Sequence, residues 1–310
     1  MQGAPRRPGE QLLPIDWGAI TPLRLRAQLV ADGAYDGVHR SRRRGAGVEF
    51  GGQRPYVAGD DLRFLDLRAL LRHDRLMVRE YETETERALW MCLDATGSMA
   101  FRGPAAPGAK VAYGALLAAA LARIAIAGQD PVGLSFIGGG EPGRGVSVGF
   151  GHATFERVVS ELECATAAGD LHGDDGEVVR AARMLDRRAA RGGAIVVFSD
   201  FLDLPAEALR PLTALAAAPR ALVFVQVLDP QERDLSFQGK VRLKALEGGR
   251  VVTTDADAVR ARYQTALRAH NDALQAQVEA AGARWVETAT DGDPVKHVRT
   301  VLRAIAEARR

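Results

Sequence analysis

Short apolar runs separated by helical stretches set the strongest constraint on this chain. TETERALWMCLD at 83–94, PVGLSFIG at 131–138, GAIVVFSD at 193–200 and ALVFVQVLD at 221–229 are too short and too β-branched to be core helices. The runs at 193–200 and 221–229 are apolar at nearly every position, the pattern of a strand buried on both faces. Between the runs lie helical segments, KVAYGALLAAALARIA at 110–125, HATFERVVSELECA at 152–165, GEVVRAARMLDRRAA at 176–190 and LPAEALRPLTALAAA at 204–218, where Pro205 sits early in its helix. Strands joined through helices make a parallel sheet covered on both sides, so the expected fold is a doubly wound, mostly parallel α/β sheet with helices on both faces. GVSVGF at 145–150, reached from the second strand through GGGEPGRG, predicts an antiparallel hairpin. Beyond residue 230 the pattern predicts a polar hairpin near 235–254, a long helix near 256–281, a strand at 284–288 and a last helix at 294–308.

The 310 residues are 47% hydrophobic and 26% charged, ample for a large core. Formal net charge is only +2, which argues against a whole-chain polyanion binder. The charge is uneven: Arg40, Arg42, Arg43 and Arg44 crowd one short loop, read either as a solvated basic loop or as a contact for an acidic partner surface. No aromatics interleave these arginines, so a nucleic-acid partner is not expected. Cys92 and Cys164 have no C-x-x-C partner, which fits a reducing cytoplasm. The opening MQGAPRRPGE lacks the apolar core of a signal peptide, and no uncharged apolar run approaches ~18 residues, so no membrane span is expected. Three regions follow: a tail and short helix at 1–36, a loop-rich charged block at 37–82, and the α/β domain at 83–310. Within the block, Asp60, Asp61 and Asp66 stand among Arg54, Arg63, Arg68 and Arg72, a pattern of internal ion pairing.

Two of the apolar strands end in an aspartate, Asp94 and Asp200. In a doubly wound sheet, ligands bind outside the carboxyl ends of strands, where strand order reverses. Two carboxylates placed there repel each other and resist desolvation, and a divalent cation removes that cost. After Asp94 come Thr96 and Ser98, a D-x-T-x-S run whose hydroxyls alternate on one tight turn. Hydroxyl and carboxylate oxygens suit magnesium, which takes about six oxygens and keeps several waters. The plainer reading stays open: these side chains cap the helix near residue 108 or hold their own turn. None of the six histidines (His39, His73, His152, His172, His270, His297) stands in a triad context, and there is no G-x-S-x-G elbow. GPAAPGAKV at 103–111 imitates a phosphate loop, but Lys110 comes one residue late and no Ser or Thr follows it.

The block GVEFGGQRPYVAGDDLRFLD at 47–66, with LDATGSMAF and VVFSDFLD, resembles the bacterial domain-of-unknown-function family 58 over residues 37–230. That family's core is similar to a von Willebrand factor type A domain. The resemblance implies a metal-ion-dependent adhesion site, with Asp94, Thr96, Ser98 and Asp200 around Mg2+ or Mn2+ and one position open to a carboxylate of a partner. It also implies a non-catalytic role beside a MoxR-type AAA+ ATPase, in assembly or chaperone-like maturation of other proteins. Thr96 replaces the usual serine and Leu67 the usual tryptophan. Asp174 falls about where the family of A domains supplies a threonine, with Thr166 eight residues earlier. Asp174 either adds a third carboxylate to the cage or caps the helix after it. The rival expectation is a magnesium-dependent hydrolase of phosphate esters, with Arg102 and Lys110 as candidate phosphate contacts.

Overall fold

The computed structural model describes residues 22–38, 50–55, 77–81, 88–139, 143–169, 176–189, 193–202 and 206–309. Expectations for the N-terminal tail, for Arg40 and Arg42–Arg44, for most of the 37–82 block and for Pro205 and Asp174 lie outside these residues.

A six-stranded sheet carries the fold. Its strands are β3 (Leu89–Ala95), β4 (Val132–Gly138), β5 (Gly145–Gly149), β6 (Ala194–Ser199), β7 (Ala221–Leu228) and β10 (Arg284–Ala289), in the spatial order β10-β7-β6-β3-β4-β5. All neighbours run parallel except the edge strand β5, which returns antiparallel to β4 as the glycine-rich connector predicted. The chain enters the sheet at β3, builds outward through β4 and β5, and then crosses back to β6 on the other side. Strand order therefore reverses between β3 and β6, the place where a doubly wound sheet opens a crevice.

Alternate residues of each strand feed two separate cores. Leu89, Met91 and Leu93 of β3 and Val196 and Phe198 of β6 pack with the helices α1 (Leu23–Val38), α2 (Lys110–Ala127), α3 (Gly151–Glu163) and α8 (Pro294–Ala308). Trp90 and Cys92 of β3 and Ile195 and Val197 of β6 face the other way, toward α4 (Gly176–Arg188), α5 (Ala206–Thr213) and α7 (Ala256–Ala280). A sheet with both faces covered needs apolar residues at every position, which is why its strands read as continuous runs. Helix α2 has the length and apolarity of a membrane span, yet it is buried between the sheet and neighbouring helices. A helix that is apolar on every side belongs inside a core.

Several boundaries differ from the sequence reading. Helix α1 runs to Val38, past the boundary at 36 expected for the N-terminal tail and short helix. The segment after β6 forms α5 only to Thr213, then tightens to a 3-10 turn at Ala214–Ala217. A short helix, α6 (Pro230–Asp234), opens right after β7, capped by Asp229. In the charged block, β1 (Phe50–Pro55) and β2 (Met77–Tyr81) pair antiparallel. The predicted polar hairpin is β8 (Lys240–Lys244) with β9 (Val251–Asp255), a two-stranded sheet of its own.

Candidate functional site

Strands β3 and β6 are hydrogen-bonded neighbours, with Leu93 opposite Phe198, so Asp94 and the Ser199–Asp200 pair leave the sheet side by side. Asp94 is 1% exposed. Its Oδ1 accepts the Thr96 backbone N–H at 2.9 Å and its Oδ2 accepts the Ser199 hydroxyl at 2.5 Å. The Ser199 hydroxyl in turn accepts the Phe201 N–H at 3.0 Å. Asp94 thus holds its own turn, as the plainer reading expected, and is also tied to the neighbouring strand. It caps no helix: the turn after it is a 3-10 helix at Gly97–Ala100, and α2 starts from Ala109 without a side-chain cap.

Thr96 and Ser98 come together. Their hydroxyl oxygens stand 3.2 Å apart on the 3-10 turn. Glycines permit this crowding. Gly138 ends β4 with φ +73°, and a Cβ there would sit 2.7 Å from the Thr96 methyl carbon. The loop after α3 is stitched to the same turn, since Gly97 N–H donates to the Gly169 carbonyl and Ala168 N–H donates to the Ala95 carbonyl. That loop leads toward Asp174, five residues past Gly169, which lies outside the described residues.

Asp200 stands differently from its expected place. Its Oδ2 accepts from the Lys110 ammonium at 2.7 Å, and its Oδ1 accepts the Leu202 N–H at 3.1 Å. Lys110 is wholly buried and donates also to Glu232 of α6 at 2.8 Å. Burial would strip the proton from Lys110, but the facing Asp200 and Glu232 carboxylates outweigh it and hold the ammonium above its ordinary range. The protein therefore brings its own cation to Asp200. Asp94 receives none: among the described residues its oxygens meet the Thr96 amide and the Ser199 and Thr96 hydroxyls, all uncharged. Burial, and then the nearby Asp200 charge, push the Asp94 carboxyl up to about 7 against those hydrogen bonds. Glu232 is likewise pushed up to about 7, by burial first.

Residue 201 completes the turn at some cost. Phe201 takes φ +54°, a left-handed conformation unusual for a bulky residue. Its ring is fixed between Phe224 and Trp285, at centroid distances of 5.8 and 5.2 Å, and His270 Nε2 contacts its carbonyl. Packing of this kind over-determines a strained turn of the sort found at functional sites.

Two participants, Ser199 and Glu247, were not assigned to the site from the sequence, and a third, Lys110, was expected there only as a phosphate contact. Ser199 was legible as the hydroxyl preceding Asp200. Lys110, set aside as a failed phosphate loop, is the one cation at the mouth of an otherwise apolar helix start, and that isolation was its signal. Glu247, whose Oε1 accepts the Ser98 N–H at 2.7 Å, comes from the distant β8–β9 hairpin and left no local sign. Arg102 turns its Nε to the Ala106 carbonyl, and Lys110 is engaged by two carboxylates, so neither is placed as a phosphate contact.

The residues at the crevice fit a hard divalent cation in kind. Asp94, Thr96 and Ser98 offer oxygen donors, two hydroxyls converge, and one buried carboxyl lacks a counter-charge among the described residues. Among the described residues no three or more His, Cys, Asp or Glu side chains are grouped so that they alone could hold a metal ion, so any such cage depends on Thr96 and Ser98.

The family model for "Protein of unknown function DUF58" matches residues 52–273. The chain belongs to this family. Uncharacterized proteins of Mycobacterium tuberculosis and Mycobacterium bovis are each 30% identical to this DUF58 chain over 295 residues, covering 94% of it and 89% of themselves. Among solved structures, it is similar to a conserved hypothetical protein BatB from Bacteroides thetaiotaomicron (13% identity, TM-score 0.43, 71% of this chain and 99% of that one). An aerotolerance-related membrane protein from Bacteroides fragilis matches at 13% identity and TM-score 0.44, over the same shares.

Proposed function

We propose that this DUF58 protein is a non-catalytic, metal-dependent protein-interaction module of the von Willebrand factor A type. Asp94, Thr96 and Ser98 hold Mg2+ or Mn2+ at the switch point. Asp200, already engaged by Lys110, contributes negative field rather than a freely available oxygen. When bound, the ion supplies an electrophilic centre with an open position for a carboxylate of a partner protein. The observation that carries the reading is the convergence, at the β3–β6 reversal, of two hydroxyls with a buried carboxyl that no cation among the described residues neutralises.

The chain's own residues divide the work. Ser199 and the Thr96 amide orient Asp94, Gly138 lets the Thr96 turn sit against β4, and Lys110 offsets part of the Asp200 charge. The Lys110–Glu232 link ties this balance to α6. Following the family resemblance, the partner is a MoxR-type AAA+ ATPase and the role is assembly or chaperone-like maturation, in the cytoplasm. Phosphoester hydrolysis has less behind it, because Lys110 and Arg102, the candidate phosphate contacts, are otherwise engaged.

Calorimetric titration with Mg2+ and Mn2+ tests the reading. Wild type should bind one ion, Asp94→Ala should lose at least about tenfold in affinity, a change of about 1.4 kcal/mol, and Ser98→Ala should weaken binding without unfolding the protein. Equal affinity in wild type and Asp94→Ala would remove the basis of the proposal.

A further inference from the structure

The β8–β9 hairpin stands apart from the main sheet, and its surface is open to solvent. Leu246, Val251 and Val252 are 42–56% exposed. Within the stretch 244–250 one residue is buried, and it is a glutamate: Glu247 is 4% exposed. Glutamate is almost never buried this deeply unless something holds it. What receives it is the candidate site. Its Oε1 accepts the backbone N–H of Ser98 at 2.7 Å, on the turn that carries the Thr96–Ser98 hydroxyl pair.

The fit around this contact is close. A Cβ on Gly97 would meet the Glu247 Cγ at 3.2 Å and the Leu246 carbonyl oxygen at 3.3 Å, so glycine at 97 lets the hairpin tip sit flat on the turn. The tip reaches down through a reversal at Gly248 and Gly249, both at positive φ, closed by Ala245 N–H to the Arg250 carbonyl. At its other end the hairpin is fastened to the start of α7, by Gly239 N–H to Asp257 and Ala256 N–H to the Gly239 carbonyl. A lone two-stranded hairpin is marginal by itself, so its position depends on those two ends. One end is anchored to a helix. The other is held, among the contacts described, by the buried Glu247 carboxyl on the Ser98 N–H.

We propose that Glu247 is the chain's own occupant of the interaction site: it holds the seat beside Thr96 and Ser98 that an acidic group of a partner would take, and the β8–β9 hairpin must lift before such a partner binds. This rests on the metal-dependent reading above and adds a gate to it. A carboxyl tethered in this way acts at an effective concentration in the millimolar range. A small free carboxylate competes poorly with it. A protein partner that also engages the exposed Leu246, Val251 and Val252 gains enough to displace it, which makes the gate selective for a surface over a lone acid.

The test uses N-acetylglutamate amide as the probe, titrated by calorimetry into the full chain at saturating Mn2+, with N-acetylglutamine amide as the uncharged control. Wild type, Glu247→Ala and Glu247→Gln are compared, each after its own Mn2+ affinity is measured. Glu247→Gln keeps an acceptor for the Ser98 N–H, so a gain common to both variants does not come from a collapsed hairpin. The expected result is a probe affinity at least about tenfold tighter in both variants, as removal of a self-occupied state requires, with no gain for the glutamine control. Mn2+ binding with unchanged probe affinity in all three proteins overturns the gate and leaves the metal reading standing. No Mn2+ binding to any of the three overturns both.

Discussion

At the residue scale, the site is a problem in charge placement. Three carboxyls (Asp94, Asp200, Glu232) and one ammonium (Lys110) are brought to one end of the sheet. Removing the ammonium leaves two carboxylates facing each other without compensation. Lys110→Met is therefore expected to lower stability by about 3–5 kcal/mol in denaturant unfolding, with partial recovery when Asp200→Asn or Glu232→Gln is added. Asp94 gives a pH signature. Its carboxyl rises from an ordinary 3.8 to about 7 on folding, so between those values the folded state holds a proton that the unfolded chain has released. Stability must then fall as pH climbs from about 4 to about 7 and level off above, by up to about 4 kcal/mol for this group. Glu232, also raised to about 7, works in the same direction. Metal-free Asp94→Asn should show a shallower decline over that window than wild type, and identical slopes in urea midpoints against pH would contradict the assignment. The acids and hydroxyls were legible in the sequence because each ends or follows an apolar strand. Lys110 and Glu247 were not, because their partners lie 90 or more residues away and only the folded chain brings them together.

At the scale of elements, the strands explain why so much of the fold was readable. β6 and β7 are buried at every position, and that demand wrote continuous apolar runs into the sequence. The ends of elements were less readable, because the forces there are not periodic. Helix α6 has five residues, too few to show a 3.6-residue repeat, and only Asp229 before Pro230 hinted at a cap. Close packing between strands offers a direct check. Gly133 on β4 lies under Trp90 of β3, where an added Cβ would stand 2.7 Å from the indole ring. Gly133→Ala should cost about 1–3 kcal/mol in thermal or denaturant unfolding, since a fully buried ring has nowhere to move. A variant as stable as wild type would mean that Trp90 is looser than its burial implies.

For the whole molecule, the order β10-β7-β6-β3-β4-β5 matters most, because it turns two distant sequence motifs into one crevice. Residues 88–100 and 193–202 are separated by two strands and three helices in the chain, yet meet at the single reversal of strand order. Two helix-covered faces make this scaffold rigid, while the β8–β9 hairpin lies over the crevice from outside the sheet. The division suits a module that presents a fixed site behind a movable cover. The basic run at Arg40 and Arg42–Arg44 and the acidic stretch around Asp174 lie outside the described residues, so their expected contributions stay with the sequence. The most direct measurement is a crystal of the full chain soaked in Mn2+, with anomalous scattering recorded to locate the ion. The account predicts one peak at the β3–β6 reversal, about 2.1 Å from the Thr96 and Ser98 hydroxyl oxygens and absent from Asp94→Ala crystals. A well-ordered crystal with no peak there, or with the ion elsewhere on the surface, would contradict it.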